Sequence, residues 1–238
     1  MIFIGRGALL TRAVRSALTG GHLVDLVCVP GGDVVPFEAL LPFEALGVRA
    51  IVSDDVNADA ETLRAACTDG IGWSINNPAI LRSPLLDSGI AFYNIHNGPL
   101  PAYRGIPEVA VMHAILNGES SYAATLHRVD AGIDTGDVVD VEEFPIGSDD
   151  GFAQVMMAGL RACHTLFERN FGALVAGSAD PTPAARTASA RVTMGEIRPG
   201  YYGRLERAAL AEFAEHPRFG RATSFGVFAP HFPELAVR

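Results

Sequence analysis

The sequence predicts an α/β fold, a mostly parallel twisted sheet with helices on both faces, and three observations lead there. Through the first hundred residues, short β-rich apolar runs alternate with helical or turn-rich segments, the pattern of a parallel sheet covered by helices. Between the first two runs, Leu9, Leu10, Ala13, Val14, Ala17 and Leu18 fall on one helical face while Arg12 and Arg15 point away, which makes a βαβ unit. Finally, 238 residues at 49% hydrophobic and 19% charged suffice for one large core and exclude global disorder.

Taken in order, the strands are expected at residues 1–4, 23–29, 48–52, 71–75 and 90–95, with helices over 8–18 and 58–66. The tetrapeptide FEAL recurs at 37–40 and 43–46; one recurrence is coincidence in a helical loop, because an array needs several copies. A helix follows over 108–116, with Pro107 serving as an early helical position and Asn117-Gly118 as the stop. The last strands fall at 122–129 and 137–144, and Asp149-Asp150 caps a long amphipathic helix over 151–175. Residues 177–190 are rich in Pro, Ala, Ser and Thr and read as a surface connector, so the core domain is assigned to 1–178. The remaining 179–238 form a short C-terminal extension, too small for an independent domain, that packs back on the core or on a partner. Within it, Tyr201, Tyr202, Phe213, Phe219, Phe225, Phe228 and Phe232 are the candidate homodimer interface, with intramolecular packing as the alternative.

Charge excludes several functions. The net charge is −9, and all 18 basic residues are arginine. Without lysine there is neither a Schiff-base amine nor a P-loop lysine, and an acidic chain is poorly suited to grip a nucleic-acid backbone. The missing lysines themselves read as genomic base-composition bias. Cys28, Cys67 and Cys163 are far apart and lack a CxxC pair, so neither a disulfide framework nor a cysteine zinc site is indicated. With no signal-peptide pattern at MIFIG and no apolar run of about 18 residues, a cytoplasmic protein without a membrane partner is expected.

Two places carry chemistry. The Gly5-Arg6-Gly7 turn sits where a phosphate loop would, yet Leu10 stands where the third Gly of GxGxxG belongs, so it reads as a tight strand-to-helix turn, with a loop facing the ligand as the alternative. The stretch 93–119, YNIHNGPLPAYRGIPEVAVMHAILNGE, says more. Asn94 and His96 are two apart at a strand end and therefore share a face, above the carboxyl edge where open α/β sheets bind ligands. Asn97-Gly98-Pro99-Leu100-Pro101 cannot continue a central strand and must form a loop. Asp134 follows in a glycine-flanked turn between two strands. An amide, an imidazole and a carboxylate brought together supply an oxyanion donor, an acid/base and a group that orients or charges that base. The seven histidines include no HExxH, and His96, His113 and His127 show no metal-ligand spacing, so no metal is expected.

The order Asn-x-His, LPxYRG, a helix ending in NGE, TxH and a DTGD turn resembles the folate-dependent formyltransferases, over roughly residues 1–176. That family includes glycinamide ribonucleotide formyltransferase, methionyl-tRNA formyltransferase and the sugar and peptide N-formyltransferases. The resemblance implies a Rossmann-like formyltransferase fold, 10-formyltetrahydrofolate as formyl donor, and Asn94, His96 and Asp134 as the catalytic trio. It also implies a pteridine against the backbone of Ser74, Ile75 and Asn76 with Leu81 packing nearby, and an opposite wall made by Val129, Asp130, Ala131 and Gly132. His113 reads as a packed or partly exposed helical residue, His127 as either packing or lining the site, Arg104 as either a ligand contact or a loop anchor, and Met156-Met157 as core.

The acceptor is less constrained. A tail of about 60 residues is too short for the C-terminal barrel of the tRNA enzymes, and the −9 charge disfavours RNA. Arg6 and Ala8-Leu9-Leu10 fit poorly where glycinamide ribonucleotide formyltransferase binds its substrate phosphate. HNGPLP, WSINN and IGRGALL look most like formyltransferases of nonribosomal-peptide and related natural-product pathways. The expected acceptor is thus a small-molecule primary amine, an amino acid or a building block held on a carrier protein. A nucleotide-linked amino sugar is the alternative, and formyltetrahydrofolate hydrolysis is the alternative from another class. The acceptor pocket is expected from residues 97–107, residues 5–10 and the tail.

Overall fold

In a computed structural model, residues 1–31, 37–178 and 218 are described. The elements are β1 (Ile2–Gly5), α1 (Gly7–Thr19), β2 (Leu26–Pro30), a 3₁₀ turn (Phe37–Ala39), α2 (Leu41–Glu44), β3 (Ala50–Ser53), α3 (Ala60–Ala66), β4 (Ile71–Ile75), β5 (Ala91–His96), α4 (Pro107–Leu116), β6 (Ser121–Arg128), β7 (Val138–Pro145) and α5 (Phe152–Val175). The strands lie in one sheet in the order β3-β2-β1-β4-β5-β6-β7. Neighbours from β3 to β5 pair in parallel, and β6 joins β5 antiparallel. The mostly parallel α/β class expected from the sequence is therefore observed.

The described residues form two compact units, the first from 1–31, 37–96, 125–141 and 163–178, the second from 97–124, 142–162 and 218. In the first unit the inner strands are buried along their whole length, as central parallel strands must be when helices cover both faces. Strand parity assigns those faces. Ile2, Ile4, Leu26 and Cys28 point one way and pack with Ala60 and Leu63 of α3 and with Leu81, Leu85 and Phe92. Phe3 and Trp73, cross-strand neighbours, point the other way, where Phe167 and Phe171 of α5 meet the Trp73 ring at 4.9 and 5.9 Å between centroids. Tyr93 extends this aromatic row 5.7 Å from Trp73. The second unit builds its own core from Tyr103, Tyr122, Phe152, Val155 and the buried residues of α4. No described helix is long and apolar enough to cross a membrane.

Boundaries differ from expectation where side chains take over from the ladder. Strand β2 begins at Leu26 rather than at 23, since Asp25 turns its carboxylate to the Met1 ammonium at 2.6 Å and to Thr68, leaving Leu23 largely exposed. The Asp25 carboxyl is disfavoured by burial, but its bonds to the terminal ammonium and to Thr68 win and hold it below the usual carboxylate range. The FEAL copies adopt different structures: 37–39 form the 3₁₀ turn, while in the second copy Phe43 is buried and closes α2. Asp150 accepts from the Gly147 N–H at 2.7 Å, closing the turn before α5. Of the extension at 179–238, only Arg218 lies within the described residues. Its guanidinium donates to the carbonyls of Asp150 at 2.7 Å and Gly147 at 3.0 Å, and its carbonyl accepts from the Phe152 N–H. The connector, the aromatic tail and the candidate dimer interface otherwise fall outside the described residues.

Candidate functional site

Strand β5 changes character along one face. Phe92 is buried in the apolar cluster over β1 and β2; Asn94 and His96 follow at the same parity toward the carboxyl end of the strand. The antiparallel partner β6 sets Thr125 opposite His96 and His127 opposite Asn94, so two i,i+2 pairs face each other across a single ladder. His127, which the sequence left open between packing and lining, is thereby brought to the site. Its Nε2 lies 3.1 Å from the Asn94 amide nitrogen, and its Nδ1 is 3.0 Å from the Arg128 carbonyl.

Asp134 reaches the two histidines from the turn before β7. Its Oδ2 is 3.7 Å from His96 Nδ1 and its Oδ1 is 3.5 Å from His127 Nε2. The local backbone explains the reach. Asp134 has φ of +51°, a left-handed conformation that Asp tolerates better than most residues. Two residues on, the chain passes so close to the Arg128 carbonyl that a Cβ at Gly136 would collide with it. Before the turn, Asp130 accepts from the Gly132 N–H at 3.0 Å and the Thr135 hydroxyl at 2.6 Å, an Asx arrangement that shapes the loop. His96 is 4% exposed and Asp134 12%, so the imidazole and the carboxylate face each other largely out of water. Asn94, His96, His127 and Asp134 together offer an amide donor, two imidazoles and a carboxylate at one sheet edge.

The residues expected to hold a pteridine divide by what they expose. Ser74, Ile75 and Leu81 are buried, and Ser74 pairs in register with Asn94. Leu81 and Val129 belong to the same apolar cluster. Asn76, at φ +48°, Asp130, Ala131 and Gly132 are exposed. The Gly5-Arg6-Gly7 turn is tied from the same side: the Asn76 amide donates to the Arg6 carbonyl at 3.1 Å.

In the second unit the loop after His96 is anchored from within. Tyr122 donates from its hydroxyl to the Asn97 carbonyl at 3.2 Å, and Tyr103 donates to Glu119 at 2.7 Å. The Asn97 side chain is 5% exposed, and neither of its amide atoms has a hydrogen-bond partner among the described residues. A cavity of about 320 Å³ is lined by Pro99, Tyr103, Glu119, Ser121, Tyr122 and Glu143, among others. Arg104 keeps its Nε buried without a hydrogen-bond partner among the described residues. His113 is half-buried on α4, and desolvation pushes its pKa down.

The formyl transferase family profile matches residues 80–170, the stretch that carries Asn94, His96 and Asp134. Methionyl-tRNA formyltransferase of Clavibacter michiganensis subsp. michiganensis is 28% identical over 214 residues, 84% of this chain and 70% of the relative. The enzyme of the same name from Clavibacter sepedonicus is 27% identical over 202 residues, 79% of this chain and 66% of the relative. Among solved structures, an N-formyltransferase from Helicobacter canadensis in complex with folinic acid and dTDP-3-aminofucose superposes with a TM-score of 0.64 at 21% identity, covering 79% of this chain and 68% of that one. Glycinamide ribonucleotide transformylase 1 from Symbiobacterium toebii gives 0.65 at 23% identity, covering 74% and 87%. At these identities the superpositions speak for the fold, and the profile match makes residues 80–170 similar to the formyl transferases.

Proposed function

We propose that the protein is an N-formyltransferase that moves the formyl group of 10-formyltetrahydrofolate to a primary amine of a small molecule, an amino acid or a carrier-bound building block of a natural-product pathway. The observation that carries this reading is the convergence of Asn94, His96 and Asp134, with His96 Nδ1 3.7 Å from Asp134 Oδ2. The likeness of residues 80–170 to the formyl transferases supports formyl transfer as the chemistry. The folate reading is supported by the exposed turn 130–132 and Asn76, together with the apolar pair Leu81 and Val129.

When bound, the folate supplies the formyl carbon, whose oxygen gains negative charge as an amine adds. Asn94 donates an amide N–H to that oxygen, and His96, charged by the nearby Asp134, donates a second. Each such donor is worth about 3–4 kcal/mol in comparable sites. Asp134 would accept the proton lost from the amine and return it to the departing folate nitrogen, directly or through water, as the bond between that nitrogen and the formyl carbon breaks and tetrahydrofolate leaves. The two roles are compatible because a carboxylate beside an imidazolium stabilises the charge without itself being the oxyanion donor.

A net charge of −9 with no lysine disfavours an acceptor gripped through a phosphate backbone. A nucleotide-linked amino sugar is the second reading, favoured by the likeness to the Helicobacter canadensis enzyme solved with such a sugar.

The test is release of tetrahydrofolate from 10-formyltetrahydrofolate with and without candidate amines: amino acids free and carrier-bound, and amino sugars. Amine-dependent release, abolished in folded His96→Ala and Asp134→Ala, is expected. Release without any amine would make the protein a hydrolase, and near-wild-type rates in both variants would sink the assignment of the trio.

A further inference from the structure

The loop that follows His96 carries an arginine that the fold leaves uncommitted. Arg104 is half-buried, and its Nε is shut off from water without a hydrogen-bond partner among the described residues. A guanidinium brings five N–H donors in a rigid fork and no acceptor, so a desolvated Nε–H is satisfied only by an oxygen brought to it. Elsewhere the molecule shows what an anchoring arginine looks like. Arg169 donates from Nε to Asp140 at 2.8 Å and pairs with it through Nη2 at 2.7 Å. Arg218 donates from Nε to the Asp150 carbonyl at 2.7 Å and from Nη2 to the Gly147 carbonyl at 3.0 Å. Arg104 makes no such bond among the described residues, and its neighbour anchors the loop instead: Tyr103 is buried, its hydroxyl donates to Glu119 at 2.7 Å and its N–H donates to the Pro99 carbonyl at 3.0 Å. Gly105, at φ +95°, then turns the chain toward α4. The backbone on either side of Arg104 is thus fixed while its fork is open, a condition in which binding an anion costs little ordering. The other unpaired polar side chain of this loop, Asn97, is packed against Gly159 of α5.

We propose that Arg104 is a specificity-determining residue that binds an oxyanion of the acceptor: the molecule whose amine receives the formyl group also carries a carboxylate or a phosphate, held in the guanidinium fork. In a chain of net charge −9 an anionic acceptor needs such a local counter-charge. Carboxylate and phosphate present the same pair of oxygens to a guanidinium, so one fork serves either. Their sources differ. A free amino acid brings the carboxylate, and a nucleotide-linked amino sugar brings the phosphate. An amino acid held as a thioester on a carrier has lost its carboxylate, so within the amino-acid reading Arg104 favours the free acceptor over the carrier-bound one.

This inference rests on the formyl-transfer reading, and two measurements keep them separable. The first is kinetic: release of tetrahydrofolate with matched acceptors, amino acids against their amides and a dTDP-linked amino sugar against the free amino sugar. In the wild type the anionic member of one pair should be preferred about 10- to 100-fold in kcat/KM, the value of a hydrogen bond to a charged group. A preference in the amino-acid pair identifies the carboxylate, and one in the sugar pair the phosphate. Arg104→Gln should abolish the preference by raising the acceptor KM, with the wild-type urea midpoint retained; Arg104→Lys, which keeps the charge but loses the fork, should restore part of it. No preference in either pair, an undiminished preference in Arg104→Gln, a higher KM for the folate in place of the acceptor, or a lowered urea midpoint that marks a structural anchor overturns the proposal. The second measurement needs no substrate. In ¹H–¹⁵N spectra of the full chain, the Arg104 Nε–H signal, identified by its loss in Arg104→Gln, should shift saturably on titration with acetate or inorganic phosphate. If the wild type transfers formyl to no amine, the functional reading fails and this titration alone decides, a signal unmoved by both anions refuting the site.

Discussion

Gly159→Ala tests how tightly the loop after His96 is held. Gly159 lies in α5, and a Cβ built there would collide with the Asn97 Oδ1 and stand 2.6 Å from its Cγ and 2.7 Å from its Nδ2. Ordinary contacts need about 3.5 Å, and the Oδ1 is the nearest of the three atoms, so the amide must retreat by more than about 1 Å. At 5% exposure it has little free space to move into, and its carbonyl is bonded to the Tyr122 hydroxyl, so the backbone takes up the shift. Asn97 is the next residue after His96, and a misplacement near 1 Å at a reacting group costs up to about 100-fold in rate. The expected loss in kcat is therefore about 10- to 100-fold. Stability sets two effects against each other: helix propensity favours Ala over Gly by about 1 kcal/mol, while overpacking costs about 1–3 kcal/mol. A net loss of up to about 2 kcal/mol should appear in urea titrations. Asn97→Ala removes the three atoms nearest the new methyl, two of them polar atoms without partners among the described residues, so the double variant should regain both rate and stability. Wild-type turnover and an unchanged urea midpoint in Gly159→Ala alone would refute this steric reasoning, as would a double variant no better than the single one.

Two further outcomes are expected. Burial lowers the His113 pKa below its ordinary 6.5, so between the two values the unfolded chain binds more protons than the folded one. Stability should fall as pH drops below about 6.5, and His113→Gln should flatten that dependence in urea titrations; parallel pH profiles would show that His113 contributes nothing. The Cys28 and Cys163 thiols are buried and pushed up to about 12, while Cys67 is half-buried and raised by a smaller desolvation. A thiol reagent at pH 8 should therefore label Cys67 first in the native protein and reach the other two only on unfolding, with early labelling of Cys163 as the contrary result.

The strand and helix pattern was legible because it is local. Apolar runs of near-continuous burial marked β1, β2 and β4, and the spacing of Leu10, Ala13, Val14 and Ala17 marked the buried face of α1. Ends were less legible, because side chains decide them: the Asp25 carboxylate, drawn to the Met1 ammonium and Thr68, sits where the ladder was expected to run. The two FEAL copies fold differently, as a chance recurrence rather than a structural repeat should.

By itself the sequence determined that Asn94 and His96 share a face at a strand end, since a period of two requires it, and that a loop must follow at Asn97-Gly98-Pro99. It also determined the absence of lysine chemistry. Only the tertiary structure decided what stands across from that face. The β5–β6 register sets His127 against Asn94, and the close pass of Gly136 at the Arg128 carbonyl turns Asp134 toward both histidines. Parity along a strand belongs to the covalent chain, whereas register between strands belongs to the whole packed sheet, because sliding β6 by a single residue would turn His127 to the opposite face.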